Sequence, residues 1–113
     1  MKIGEYLLKR LKDYGITEVF GVPGDYNLGL LNVASAEEGI RWIGNCNELN
    51  PSYSVDGYAR AKGMGAIITT MGVGELSALN GVAGSYAEDV PIIKITGMAS
   101  IFNMIKNLLY IIL

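Results

Sequence analysis

Three short stretches of this sequence carry residue types that could do chemistry. Glu48 stands between Asn47 and Leu49, a few residues beyond an apolar run. A carboxyl set in a dry crevice has its pKa raised by desolvation, and it can then hold a short hydrogen bond to a ligand ring nitrogen or trade a proton with it. The plainer role for a glutamate near a helix start is to favour the positive end of the helix dipole. Asp25 directly follows Gly-Val-Pro-Gly, so it is either a working acid or ordinary turn and cap chemistry. Gly72-Val73-Gly74 resembles a phosphate cradle between a strand and a helix. It lacks the G-K-[ST] ending of a P-loop, however, and Glu75 puts a negative charge where an anion would lie. Such glycines suit a backbone that must approach a neutral, flat ligand closely.

Composition removes most competing chemistries. The chain has 113 residues, 9 basic and 11 acidic side chains, no histidine and one cysteine. That is one domain at most, with enough apolar residues for a single core. A net charge of −2 gives no electrostatic footprint for nucleic acid. Without histidine, Ser-His-Asp hydrolysis, His-ligated zinc and imidazole acid-base work are all excluded. Cys46 can form neither an intrachain disulfide nor a multi-thiolate site, and it reads as a small packed residue. The opening MKIGEYLLKRLKD is charged throughout and lacks a secretory h-region, so a cytoplasmic location is expected.

The elements that would position these residues follow from periodicity. Ile3, Leu7, Leu11 and Tyr14 share one face of a helix that Gly15 ends. Glu18 to Val22 is a short strand running into the Pro23-Gly24-Asp25 turn. Asn27 to Ala36 is a helix and Gly39 to Gly44 a strand. Asn50 to Lys62 is a helix with Asn50 as N-cap and Pro51 at the first position, closed by Gly63. Ala66 to Thr70 is a strand, Glu75 to Tyr86 a helix, and Pro91 to Thr96 a strand ending at Gly97. Strands alternating with helices are βαβ units, which build a parallel sheet by right-handed crossovers. The expected fold is therefore three-layer, doubly wound α/β, with about four strands and helices on both faces. In such folds the loops at the carboxyl ends of the strands converge, which brings Pro23-Gly24-Asp25, Asn45-Cys46-Asn47-Glu48 and Met71 to Glu75 to one edge. The final segment, Ile101 to Leu113, has one narrow polar stripe of Asn103, Lys106, Asn107 and Tyr110. It reads as a buried helix or as a sticky helix for self-association, and it falls short of the roughly twenty residues that span a bilayer.

The runs GVPGDYNL, GNCNELNPSYSVDGYARAKG, TTMGVGELSALNGVAGSYAE and VPIIKITG occur in this order. They resemble the amino-terminal pyrimidine-binding domain of thiamine diphosphate-dependent 2-oxo-acid decarboxylases, the pyruvate and indolepyruvate decarboxylase group, from Ile3 to about Met98. The resemblance implies that residues 1–113 form a single, incomplete pyrimidine-binding domain. It implies that Glu48 contacts the ring nitrogen of the cofactor's aminopyrimidine and drives it to the imino tautomer, which deprotonates the thiazolium carbon. It makes Asp25 the acid on the substrate side, and it puts Pro23, Gly24, Thr70 and Gly72 on loops around the aminopyrimidine. The reaction implied is non-oxidative conversion of a 2-oxo acid to an aldehyde and carbon dioxide. The cofactor is its own base and electron sink, so a carboxyl suffices without histidine help.

The same resemblance implies a homo-oligomer. The diphosphate and Mg²⁺ would be bound by a domain of another subunit, and nothing in this sequence resembles that domain. It also marks departures. Ile111 and Ile112 stand where relatives carry adjacent histidines, and Pro51 stands where alanine is usual. The expected outcome is a cofactor-activating part that is inactive by itself and self-associates through Glu75 to Tyr86. The alternatives are a non-catalytic module that retains the fold, and a generic flavodoxin-like nucleotide binder, which the missing diphosphate loop disfavours.

Overall fold

The computed structural model describes residues 2–102. The expectations for residues 103–113, including the end of the apolar tail and the Ile111-Ile112 replacement, lie outside the described residues. In chain order the elements are α1 (Ile3–Asp13), β1 (Glu18–Gly21), α2 (Leu28–Ala36), β2 (Arg41–Gly44), α3 (Leu49–Lys62), β3 (Gly65–Thr70), α4 (Val73–Ser77), α5 (Leu79–Ala87) and β4 (Ile92–Gly97). The four strands form one sheet in the order β2-β1-β3-β4, and every pairing is parallel. The expected doubly wound α/β fold is what forms.

Alternation along the strands decides which helix lies where, because successive side chains point to opposite faces. Val19, Ala66 and Ile68 point to one face, where Leu8 and Leu11 of α1 and Leu31 and Ala34 of α2 close over them. Phe20 and Ile67 point to the other, against Val55 of α3 and Ala78 between α4 and α5. Each buried aliphatic side chain of this kind contributes roughly 1.5–3 kcal/mol of transfer free energy. With both faces covered, the central strands read as continuous apolar runs rather than alternating ones. No helix among the described residues is long and apolar enough to cross a membrane.

The helix ends show local chemistry and several corrections. Gly15, at φ +79°, closes α1; its N–H bonds the Lys12 carbonyl at 2.8 Å, and Ile16 N–H bonds Leu11 O at 3.0 Å. This left-handed ending satisfies the last carbonyls and drops Ile16 into the core beside Leu11. The buried stripe of α1 is Leu8 and Leu11, whereas Ile3 and Tyr14, at the two ends of the expected apolar face, are exposed. α3 begins at Leu49, one residue before the expected start, so Asn50 is not its N-cap. Asn47 does that work, with its side-chain oxygen accepting from Leu49 N at 3.0 Å and Asn50 N at 3.3 Å. Pro51 still lies in the first turn, where no helical N–H is lost. The helix expected over Glu75 to Tyr86 starts earlier and divides at Ala78, whose backbone remains helical, at φ −74° and ψ −14°.

Candidate functional site

The carboxyl ends of β1, β2 and β3 bring three loops together, and Thr70 at the end of β3 is the post between them. A Cβ placed on Gly24 would lie 2.6 Å from Thr70 Cβ, and one placed on Gly74 would lie 2.8 Å from Thr70 Cγ2 and 2.9 Å from Glu48 Oε1. Thr70 thus packs on both Gly24 and Gly74, Glu48 packs on Gly74, and a Cβ at either glycine would force its neighbours to move. Thr70 Oγ1 is buried without a hydrogen-bond partner among the described residues. Buried hydroxyls in that condition are rare and call for an explanation in ligand, water or function.

Glu48 holds the N-cap position of α3 but makes no cap hydrogen bond. Because Asn47 satisfies the first N–H groups, the Glu48 carboxylate is released from the ordinary duty of a helix-start acid and lies half-buried beside Gly74. The helix dipole still favours negative charge there. Asp25 is exposed on the β1–α2 loop, and no hydrogen bond or ion pair engages it among the described residues. Asp25 takes the first central position of the loop's turn, which is closed by Asn27 N and Leu28 N bonding Gly24 O at 2.9 and 3.2 Å. The turn placement of Asp25 is therefore observed, while its carboxylate caps no helix among the described residues.

The other expected site residues divide. Gly24 and Thr70 are in the cluster. Pro23, next in the chain to Gly24, is exposed. Gly72 contributes turn geometry: at φ +76° it is in the region glycine tolerates, and its N–H donates to Glu75 Oε1 at 3.2 Å. Glu75 is accordingly occupied in capping α4. Cys46, expected to be packed, is exposed, because β2 is a four-residue edge strand and the loop after it projects past the sheet. Two grooves on the described surface lie away from these loops, at about 570 Å³ between α1 and α2, lined by Glu5, Asn32 and Glu37, and at about 520 Å³ beside Thr17 and Arg41.

What holds Glu48 against Gly74 escaped the sequence reading. Glu48, Ser52, Asp56 and Arg60 recur every fourth residue along α3, so they share one side of the helix. That side faces α4 and α5 at Gly74, Gly81, Ser85 and Glu88. A Cβ on Gly81 would lie 2.6 Å from Ser52 Cβ. Buried Ser85 donates to Asp56 Oδ2 at 2.7 Å, and Arg60 bridges Asp56 Oδ1 at 2.6 Å and Glu88 Oε2 at 2.7 Å. The Arg60 guanidinium, and after it the Ser85 hydroxyl, hold the Asp56 carboxyl below the usual aspartate range. The four-residue spacing was the available signal, but nothing local says which helix it meets.

Residues 1–104 match the family described as thiamine pyrophosphate enzyme, N-terminal TPP binding domain. The chain is 58% identical over 107 residues to pyruvate decarboxylase isozyme 1 of Saccharomyces cerevisiae, covering 95% of this chain and 19% of that protein. It is 56% identical over 107 residues to pyruvate decarboxylase of Candida glabrata, with the same coverage. To the alpha-keto-acid decarboxylase of Mycobacterium avium it is 59% identical over 95 residues, which is 84% of this chain and 17% of the relative. The chain thus spans about a fifth of the length of the curated relatives it matches.

Proposed function

We infer the function of this chain from its family: it belongs to the thiamine pyrophosphate enzymes, as an N-terminal TPP-binding domain. We propose that residues 1–113 are the pyrimidine-binding part of a thiamine diphosphate-dependent decarboxylase that converts a 2-oxo acid such as pyruvate to an aldehyde and carbon dioxide, in the cytoplasm. The cofactor, when bound, supplies the carbanion chemistry and the electron sink. In this reading the residues here bind and orient it. Glu48 would hold the aminopyrimidine ring nitrogen through a hydrogen bond, Gly24, Gly72 and Gly74 would let the backbone approach the flat ring, and Pro23 and Thr70 would border it. Asp25, without a hydrogen bond or ion pair among the described residues, would serve as the acid on the substrate side. The observation that carries the reading is the Glu48 carboxylate, relieved of capping by Asn47 and seated 2.9 Å from the position a Gly74 Cβ would take.

Among the described residues no group of three or more His, Cys, Asp or Glu could hold a metal ion. From the family resemblance we assign Mg²⁺ and the diphosphate to a domain of another subunit, whose surface would complete the site at the strand ends. Self-association would use α4 and α5, where Val73, Leu76 and Leu79 recur every third residue and are 79%, 65% and 51% exposed. Apolar area of that kind marks an interface. A sedimentation run at high micromolar concentration tests this directly, and a monodisperse monomer would contradict it.

The test of cofactor binding is thermal stability against added thiamine diphosphate and Mg²⁺. A ligand at one hundred times its dissociation constant adds about 2.7 kcal/mol. A shift in Tm is expected. Its absence would favour the second reading, a non-catalytic module, which the exposure of Asp25 supports. The purified chain is expected not to form acetaldehyde from pyruvate, and acetaldehyde production that Glu48→Gln abolishes would overturn that expectation.

A further inference from the structure

Asn27 is a polar side chain at 1% exposure to which neither the fold nor the proposed chemistry has assigned work. Both ends of its carboxamide are used, and both are used on the same loop. Gly24 N–H donates to Asn27 Oδ1 at 2.9 Å, and Asn27 Nδ2 donates to Val22 O at 3.0 Å. The side chain thus spans the turn from inside and fixes the backbone on either side of Pro23. The loop is also pinned from outside. Gly24 is pressed onto Thr70, and a Cβ on Gly97, at the end of β4, would lie 2.6 Å from the Tyr26 carbonyl carbon and 3.0 Å from Asn27 Cα.

The arrangement is more specific than core filling demands. An apolar side chain could occupy the volume, but it would strand the Gly24 N–H and leave the Val22 carbonyl without this partner, which costs more than a lost contact. Only an amide of this length offers one acceptor and one donor in the plane the turn presents. Asp25, the exposed acid, lies one residue beyond the clamped Gly24, so the direction it takes from the loop depends on where Gly24 is held.

We propose that Asn27 is a positioning residue: its carboxamide clamps the Val22–Asp25 loop so that Gly24 stays seated on Thr70 and Asp25 is presented at the strand ends. The proposal rests on the reading of Gly24 and Asp25 as site residues. It is tested on the full chain with three variants. Asn27→Ala removes both hydrogen bonds. Asn27→Asp keeps the acceptor for Gly24 and loses the donor to Val22. Leu31→Val, in the core under the same helix, is the control for general destabilisation.

Two readouts are taken: amide hydrogen exchange at Gly24 relative to Val19, and the affinity for thiamine diphosphate. One hydrogen bond of ordinary net worth is about tenfold in an equilibrium constant, so Gly24 should exchange about tenfold faster in Asn27→Ala while Val19 changes no more than it does in Leu31→Val. Affinity should fall in Asn27→Ala and be unaffected in Leu31→Val. Asn27→Asp should lie between wild type and Asn27→Ala on both readouts. If Asn27→Ala does not fold, Asn27→Asp against Leu31→Val decides the matter. Equal affinity loss in the Asn27 and Leu31 variants, or acceleration of exchange spread evenly along the chain, would overturn the proposal. A wild-type chain that binds no cofactor would count against the site reading, and the exchange contrast would still decide the clamp.

Discussion

On one face of the sheet, Leu8, Leu11, Leu31 and Ala34 close over Val19, Ala66 and Ile68 as an apolar layer. On the other, only Phe20, Val55, Ile67 and Ala78 form a buried apolar cluster, and the helices above them meet along Ser52, Asp56, Gly81 and Ser85. The first face uses bulk and tolerates approximate geometry. The second uses close approach and directed hydrogen bonds, which hold a register but contribute less transfer free energy. Glu48 is at the end of that second seam. The difference teaches that the α1–α2 face supplies most of the cohesion, while the α3–α5 face sets distances at the strand ends.

The contrast predicts separable mutational effects. Leu8→Ala should be the most damaging to stability, at about 2–5 kcal/mol for a buried leucine; chemical denaturation reads it, and a loss under about 1 kcal/mol would contradict the division of labour. Gly74→Ala should cost about 1–3 kcal/mol through overpacking against Thr70 and Glu48, and it should remove the thermal response to cofactor as well. A variant that kept the response would show that the Glu48–Gly74 contact is incidental. Ser85→Ala should cost about 1 kcal/mol by taking a donor from Asp56.

Acid unfolding sharpens the same comparison. The Asp56 carboxyl is held below its ordinary value mainly by Arg60 and then by Ser85. A depressed carboxylate contributes stability above the unfolded aspartate pKa of about 3.9, and that contribution is lost as pH falls through the lower folded value. Ser85→Ala should therefore flatten the loss of stability below about pH 4. Leu8→Ala should lower stability at every pH without altering that limb.

Much of the fold was legible because it depends on periodicity. Strands such as Ala66 to Thr70, returning between helical segments, require a parallel sheet whichever side chains fill it. The strand-end position of Glu48 and Asp25 followed from that topology alone. What was not legible depends on partners distant in sequence. Nothing near Gly74 reveals that a glutamate twenty-six residues earlier presses on its Cα. Asn27 reads as a helix-start asparagine until Val22 and Gly24 are seen to share its amide. The α3 start was placed one residue late because Asn47 and Asn50 are both plausible caps, and the choice depends on where β2 releases the chain. Cys46 was expected to be packed because composition cannot show that β2 is an edge.

The most direct measurement is the equilibrium affinity for thiamine diphosphate with Mg²⁺, compared among wild type, Glu48→Gln and Asp25→Asn. A charge-assisted hydrogen bond of about 1.5–3 kcal/mol is worth tenfold or more in affinity. The expected result is that Glu48→Gln loses at least that much while Asp25→Asn, on the substrate side, binds as wild type does. Equal affinities for wild type and Glu48→Gln would contradict the claim that this carboxyl, freed by Asn47 and seated beside Gly74, is what grips the ring.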